Sequence, residues 1–260
     1  MKIKEMLKRE EPHISFEVFP PKTDKGFDSV INTVDELSQM QPSYISVTYG
    51  AGGGTSKNTV NIASHIQNKL GVTALAHLTC VSSTKDQVRA VISELKEAGI
   101  ENILALRGDI PKDSSFPVPN QYKHAYELVN EIKNSGDFCV GAACYPEVHP
   151  DTFHKADDIK YLKEKVDCGV DFLTTQLFFD NNVFYNYLYR LREVGISIPV
   201  IPGIMPVTNG KQIARTCEMS SATLPPRFKA IADKFGDNPE AMEQAGIAYA
   251  TEQIVDLIAN

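Results

Sequence analysis

The residues able to do chemistry in this chain recur at one kind of place. Glu17, Thr48, His77, Arg107 with Asp109, Tyr145 and Gln176 each stand where an apolar, strand-like run gives way to a loop. Glu17 is the most telling. It is a carboxylate within Ile14-Ser15-Phe16-Glu17-Val18-Phe19, a run closed by Pro20-Pro21, which neither a strand interior nor a helix can continue. An unpaired buried charge is costly, so such a group is paired, neutralised or employed. Desolvation raises a carboxyl pKa and makes it a proton donor near neutral pH. A strand-end Glu that bonds a neighbouring strand or an Arg is the plain structural alternative.

The elements that must carry these residues alternate. Helical spacing of Val30, Val34 and Leu37 predicts a helix over 27–39, and Tyr44 to Tyr49 reads as a strand. The loop Gly50-Ala51-Gly52-Gly53-Gly54 precedes a helix expected from Lys57 to Leu70. It is not a dinucleotide fingerprint, because from Gly50 and Gly52 the third glycine of G-x-G-x-x-G falls on Thr55. Strands are expected over 72–79, 102–106, 138–144, 172–179 and 198–204. Helices are expected after each, the one near Lys85 opening on a Thr84/Gln87 capping box. The long polar segment from Ile110 to Gln121 holds three prolines, and loops of that length in compact domains are often functional. Two final helices fit 225–235 and 239–258.

Seven strand–helix units with continuously apolar strands indicate a parallel sheet buried on both faces. Strict alternation favours an α/β fold of the (β/α)8 TIM-barrel kind, whose chemistry sits at the carboxyl ends of the strands. A single domain over 1–260 is expected. Its eighth strand is missing from the chain, so that further residues or another segment must cover the open edge.

Composition narrows the function. The chain has 260 residues, 42% hydrophobic and 23% charged, with a formal net charge of −7. There is no basic block of the kind nucleic-acid binders show, no secretory leader, and no apolar run long enough to span a bilayer. The five cysteines form no C-x-x-C and read as reduced thiols of a cytoplasmic protein. No metal-ligand spacing stands out.

Taken together, Ser15-Phe16-Glu17-Val18-Phe19-Pro20-Pro21, Ser46-Val47-Thr48-Tyr49-Gly50, His77-Leu78-Thr79-Cys80, Leu104-Ala105-Leu106-Arg107-Gly108-Asp109, Tyr145-Pro146-Glu147-Val148-His149-Pro150 and Thr175-Gln176-Leu177-Phe178-Phe179-Asp180 resemble the bacterial, flavin-containing 5,10-methylenetetrahydrofolate reductases. The resemblance implies non-covalent FAD at the carboxyl rim. It also implies that NADH or NADPH reduces the flavin, which in turn reduces methylenetetrahydrofolate to 5-methyltetrahydrofolate, by turns at one site. It implies Glu17 as the acid that opens the folate's five-membered ring, and Asp109 as the carboxylate beside flavin and pterin. Cofactor contacts are implied for Thr48, Tyr49, Ala51, His77, Leu106, Arg107, Gly108, Asp109, His124, Ala125, Tyr145, His149, Asp158 and Lys165. Glu17, Thr48, Asp109, Gln176 and Gln212 are implied for the folate. Two positions depart from the family pattern: His124 stands where an aromatic residue is usual, and Thr216 where some members stack a ring on the folate tail. A homo-oligomer is expected, and an accessory electron-transfer subunit remains compatible. Two other readings stay open on the residues alone: a pterin-binding (β/α)8 methyltransferase or lyase, and a non-catalytic flavin- or folate-binding subunit.

Overall fold

The computed structural model describes residues 1–21, 26–49, 56–81, 83–110, 119–149, 152 and 154–260. Seven strands are found among them: β1 (Ser15–Val18), β2 (Tyr44–Val47), β3 (Ala74–Thr79), β4 (Asn102–Leu106), β5 (Cys139–Cys144), β6 (Phe172–Thr175) and β7 (Val200–Ile201). They follow one another in chain order, and every pairing described is parallel. Between them run α1 (Ile3–Met6), α2 (Phe27–Ser38), α3 (Ser56–Ser64), α4 (Lys85–Glu97), α5 (Ala125–Ser135), α6 (Lys155–Asp167) and α7 (Asn181–Glu193). After β7 come α8 (Ile213–Ser220), α9 (Pro226–Phe235) and α10 (Pro239–Ala259). This is the expected repetition of β/α units. The Thr84/Gln87 capping box is present, with the Gln87 N–H donating to Thr84 Oγ1 at 3.2 Å and the Thr84 N–H to Gln87 Oε1 at 2.7 Å.

Two strands are shorter than the sequence suggests. The expected 198–204 strand keeps Val200 and Ile201 alone, because Pro199 and Pro202 on either side have no N–H to give a ladder. The 172–179 run leaves the sheet after Thr175. Its last two aromatics pack instead on helices, Phe178 stacking on Phe184 and Phe179 on Phe228 with centroids 5.3 and 5.0 Å apart.

Contacts divide the chain into two compact units, Met1–Ala142 with Glu164–Phe172, and Ala143–Lys163 with Leu173–Asn260. In the first, strands β1–β4 and the start of β5 bury an apolar core that includes Val34, Ile45, Val47, Ile62, Ile66, Leu78 and Ile103. Each such side chain contributes about 1.5–3 kcal/mol on leaving water. Helix α1 is tied to the amino ends of these strands. The Ile3 N–H donates to Asn102 Oδ1 at 2.8 Å, and Asn102 Nδ2 donates in turn to the carbonyls of Met1 and Ala74. Lys4 and Lys133 both reach the Asp171 carboxylate, at 3.2 and 2.6 Å. Helix α3 runs on without a break into a π-helical stretch, His65–Lys69. There Asn68 Nδ2 donates to the Ala98 carbonyl at 2.9 Å, Gln67 Nε2 donates to that of Gly99, and His65 Nε2 lies 2.7 Å from Asp35.

In the second unit Phe179, Val207, Ile213, Ala222, Phe228 and Met242 form the core. Helix α10 crosses the 207–208 backbone at Gly246, where an added Cβ would fall inside contact distance of the Val207 carbonyl oxygen.

Candidate functional site

Strand register sets the geometry of the first unit's site. Glu17 pairs with Ser46 across β1 and β2, and Ser46 with Leu75 of β3. Partners in a parallel ladder point to the same face, as does His77, two residues beyond Leu75. The three polar side chains meet there. Ser46 Oγ donates to Glu17 Oε2 at 3.4 Å, and His77 Nε2 lies 3.5 Å from the same oxygen.

Glu17 is more open than the sequence suggested, with 46% of its side chain accessible. Protein nonetheless surrounds most of the carboxylate, and this desolvation raises its pKa, the Ser46 bond pulling weakly the other way. The group lies in a recess, within reach of a ligand but poorly hydrated. His77 is fully buried, and burial pushes its pKa down to about 3, so its imidazole is neutral. At 3.5 Å the pair is therefore not an ion pair, and the spacing is too long for a hydrogen bond. Nε2 stays buried without a partner, an arrangement that native proteins rarely leave unexplained.

The other candidates of this unit lie close in sequence to the same strand ends. Thr48 is fixed through its backbone: its N–H donates to the Val18 carbonyl at 3.0 Å and its carbonyl accepts from Thr59 Oγ1 at 3.0 Å. Tyr49 next to it is half-buried, as are Leu106 and Arg107. After β4 the Leu106 and Arg107 carbonyls accept from the N–H groups of Cys80 and Val81, at 3.2 and 2.9 Å. Gly108 has φ +86°, and a Cβ there would stand 3.0 Å from that of Thr79. Only glycine suits that turn. It delivers Asp109 exposed to solvent. Ala51 lies outside the described residues, as do the Gly50–Gly54 loop and most of the 110–121 segment. At the start of α5, the His124 N–H donates to Glu127 Oε2 at 2.9 Å. Its ring stacks on Tyr126, centroids 5.6 Å apart, so His124 supplies a flat face in place of the usual aromatic. Ala125 beside it is half-buried, and so is Lys165 on α6.

The second unit places Tyr145 directly after β5, its ring edge-on to His149 with centroids 4.6 Å apart and planes at 67°. Asp158 is half-buried on α6. Gln176 follows β6. Its Oε1 accepts from the Leu177 N–H at 2.9 Å and its own N–H donates to the Cys144 carbonyl at 2.7 Å. That bond fixes the carboxamide orientation and turns its NH2 outward. Gln212 ends a short 3-10 turn and is exposed, and Thr216 is half-buried on α8.

Two residues belong with these sites that the sequence reading did not single out. Ser46 is the one hydroxyl bonded to Glu17, and its place opposite Glu17 becomes visible only once the register is known. Glu147 accepts the Thr223 N–H with both carboxylate oxygens, at 2.9 and 3.0 Å. A partner 76 positions away leaves no local signal.

Parallel β/α units with a proton-holding carboxylate and a glycine turn at the carboxyl ends of the strands define an α/β protein of the TIM-barrel class, carrying an acid–base site. Comparison narrows this class. The family profile described as Methylenetetrahydrofolate reductase matches residues 2–260, and the chain belongs to that family. It is 36% identical over 242 residues to the 5,10-methylenetetrahydrofolate reductase of Escherichia coli K12, covering 93% of this chain and 80% of that one. It is 37% identical over 273 residues to methylenetetrahydrofolate reductase (NADH) 1 of Arabidopsis thaliana, covering all of this chain and 46% of the relative. The chain thus spans about half the length of the plant relatives it matches. A solved structure is similar with TM-score 0.67 at 14% identity, covering 100% of this chain and 87% of the other. It is described as an uncharacterized protein from Clostridium thermocellum that binds two copies of 5-methyl-5,6,7,8-tetrahydrofolic acid. At that identity it bears on the fold alone. Among the described residues no helix is long and apolar enough to cross a membrane.

Proposed function

We propose that this chain reduces 5,10-methylenetetrahydrofolate to 5-methyltetrahydrofolate with electrons from NADH or NADPH, using non-covalently held FAD and binding the two substrates by turns. Family membership supports the reaction. The observation that carries the mechanism is the raised pKa of Glu17 in its recess at the end of β1. The folate's five-membered ring opens to an iminium ion once its nitrogen is protonated, and a carboxyl that holds its proton near neutral pH is the group for that step. FAD, when bound, supplies the hydride chemistry.

The residues present fit a flavin. The orphaned Nε2 of His77 suits a ring edge that carries both N–H and carbonyl groups. The Gly108 turn lets backbone come close to a ligand. Thr48, Tyr49, Leu106 and Arg107 would line the ring. His124 and Ala125, with Tyr145, His149, Asp158 and Lys165, would hold the adenosine and pyrophosphate end. Asp109 would favour the cationic iminium, and Gln176 would offer its outward NH2 to the pterin or the nicotinamide. Gln212 is the folate-tail candidate. The protein would work in the cytoplasm as a homo-oligomer.

The test is E17Q. The variant should keep its flavin absorbance and its oxidation of NAD(P)H, while folate reduction disappears. Loss of flavin with the substitution would make Glu17 a structural residue and remove the proposed acid.

A further inference from the structure

The turn that links Tyr145 to His149 is held in a conformation its own sequence disfavours. Val148 sits at φ +94°, where a β-branched side chain crowds the backbone and glycine or asparagine would be at ease. The Val148 N–H donates to the Tyr145 carbonyl at 3.2 Å, closing the turn. Such conformations persist only where the surroundings over-determine them.

The surroundings here are two. Glu147 takes the Thr223 N–H with both oxygens. Arg190 Nη2 donates to the Pro146 carbonyl at 3.2 Å, and its guanidinium lies over the ring of the buried Tyr187, 5.4 Å from the centroid. The turn is thereby pinned at 146 and 147, and the strain falls on 148. What the strain produces is the edge-to-face corner of Tyr145 and His149. Both rings are half-buried, so the corner can be reached.

We infer that Glu147 is a positioning residue, which through the strained Val148 turn holds the Tyr145–His149 corner ready for the adenosine end of a flavin dinucleotide. This rests on the flavin reading above and adds a division of labour within the ligand. A corner set for the adenosine end serves FAD and does nothing for FMN, which lacks the AMP half.

The purified full chain, E147A and V148G are titrated with FAD and, separately, with FMN, following flavin fluorescence. V148G guards against misfolding, since glycine is at home at that φ and releases the turn with Glu147 intact. The expected result is an FAD dissociation constant raised tenfold or more in both variants, with FMN binding within twofold of the parent and melting still cooperative. E147Q, which can accept with a single oxygen, should lie between. FAD binding unchanged in E147A or V148G overturns the inference, and so does a parallel loss of FAD and FMN. A parent chain that binds neither flavin overturns the flavin reading itself, and this inference with it.

Discussion

Glu17 and Asp171 are both carboxylates drawn partly out of water beside the strands of the same unit, and they end in opposite protonation states. Burial pushes the Asp171 carboxyl up, but Lys133 at 2.6 Å, the Val140 N–H at 2.8 Å and Lys4 at 3.2 Å outweigh it, and the group sits below the usual carboxylate range. Glu17 has a 3.4 Å bond from Ser46 and a neutral imidazole beside it, and desolvation wins. The difference lies in the number of donors supplied, not in depth. A carboxylate that joins elements together is given cations and N–H groups. One meant to give up a proton is deprived of them.

The comparison can be broken in several ways. The largest effect belongs to Glu17. E17Q should slow folate reduction about 10²–10⁴-fold, the usual weight of a general acid, measured by single turnover of the reduced enzyme. Next is D171N, which leaves Lys4 and Lys133 facing an amide. It should cost roughly 3 kcal/mol of stability and several degrees in melting midpoint, read by thermal or urea denaturation.

The pH dependence of stability should then run in opposite directions. Asp171 has a lowered pKa when folded. Its contribution is present above the unfolded value of about 3.9 and fades as pH falls through the folded one. The gap between the parent and D171N should therefore narrow in acid. Glu17 has a raised pKa when folded. Its protonated form suits the fold below about 4.3, and that advantage is lost as pH rises through the folded value. E17Q should therefore melt at or above the parent temperature at neutral pH, the gap closing toward pH 4. If E17Q is the less stable protein at pH 7, Glu17 is a structural carboxylate after all. The smallest effect is that of S46A. Removing the one donor lifts the Glu17 pKa further, so the basic limb of the folate-reduction profile should move to higher pH with its height little changed.

Much of the fold could be read from the chain because it is written locally. The β4 limits Asn102–Leu106 and the Thr84/Gln87 cap depend on neighbours within a few residues. The apolar run 172–179 misled because Phe178 and Phe179 are as greasy as a strand requires, yet serve helix packing. The expected strand end at Ile204 ignored what Pro202 does to a ladder. In the site, residue types at strand ends pointed to Glu17, His77 and Gln176. Their partners stayed hidden. Ser46 is 29 positions from Glu17, Val140 is 31 from Asp171 and Thr223 is 76 from Glu147, and nothing short of the folded register brings these together. The openness of Glu17 was hidden for the same reason, since an apolar run does not say which of its residues borders a recess.

The π-helical stretch at His65–Lys69 carries a consequence for how this chain tolerates changes in length. Removing one residue there would let the segment tighten to ordinary α geometry and rotate everything after the cut by about 100°. Ile66 would swing away from the core, and the Gln67 and Asn68 amides would lose the carbonyls that end α4. A single-codon deletion in this stretch should therefore cost far more than one in the polar loop between Ile110 and Gln121, although both look equally innocuous on the printed chain.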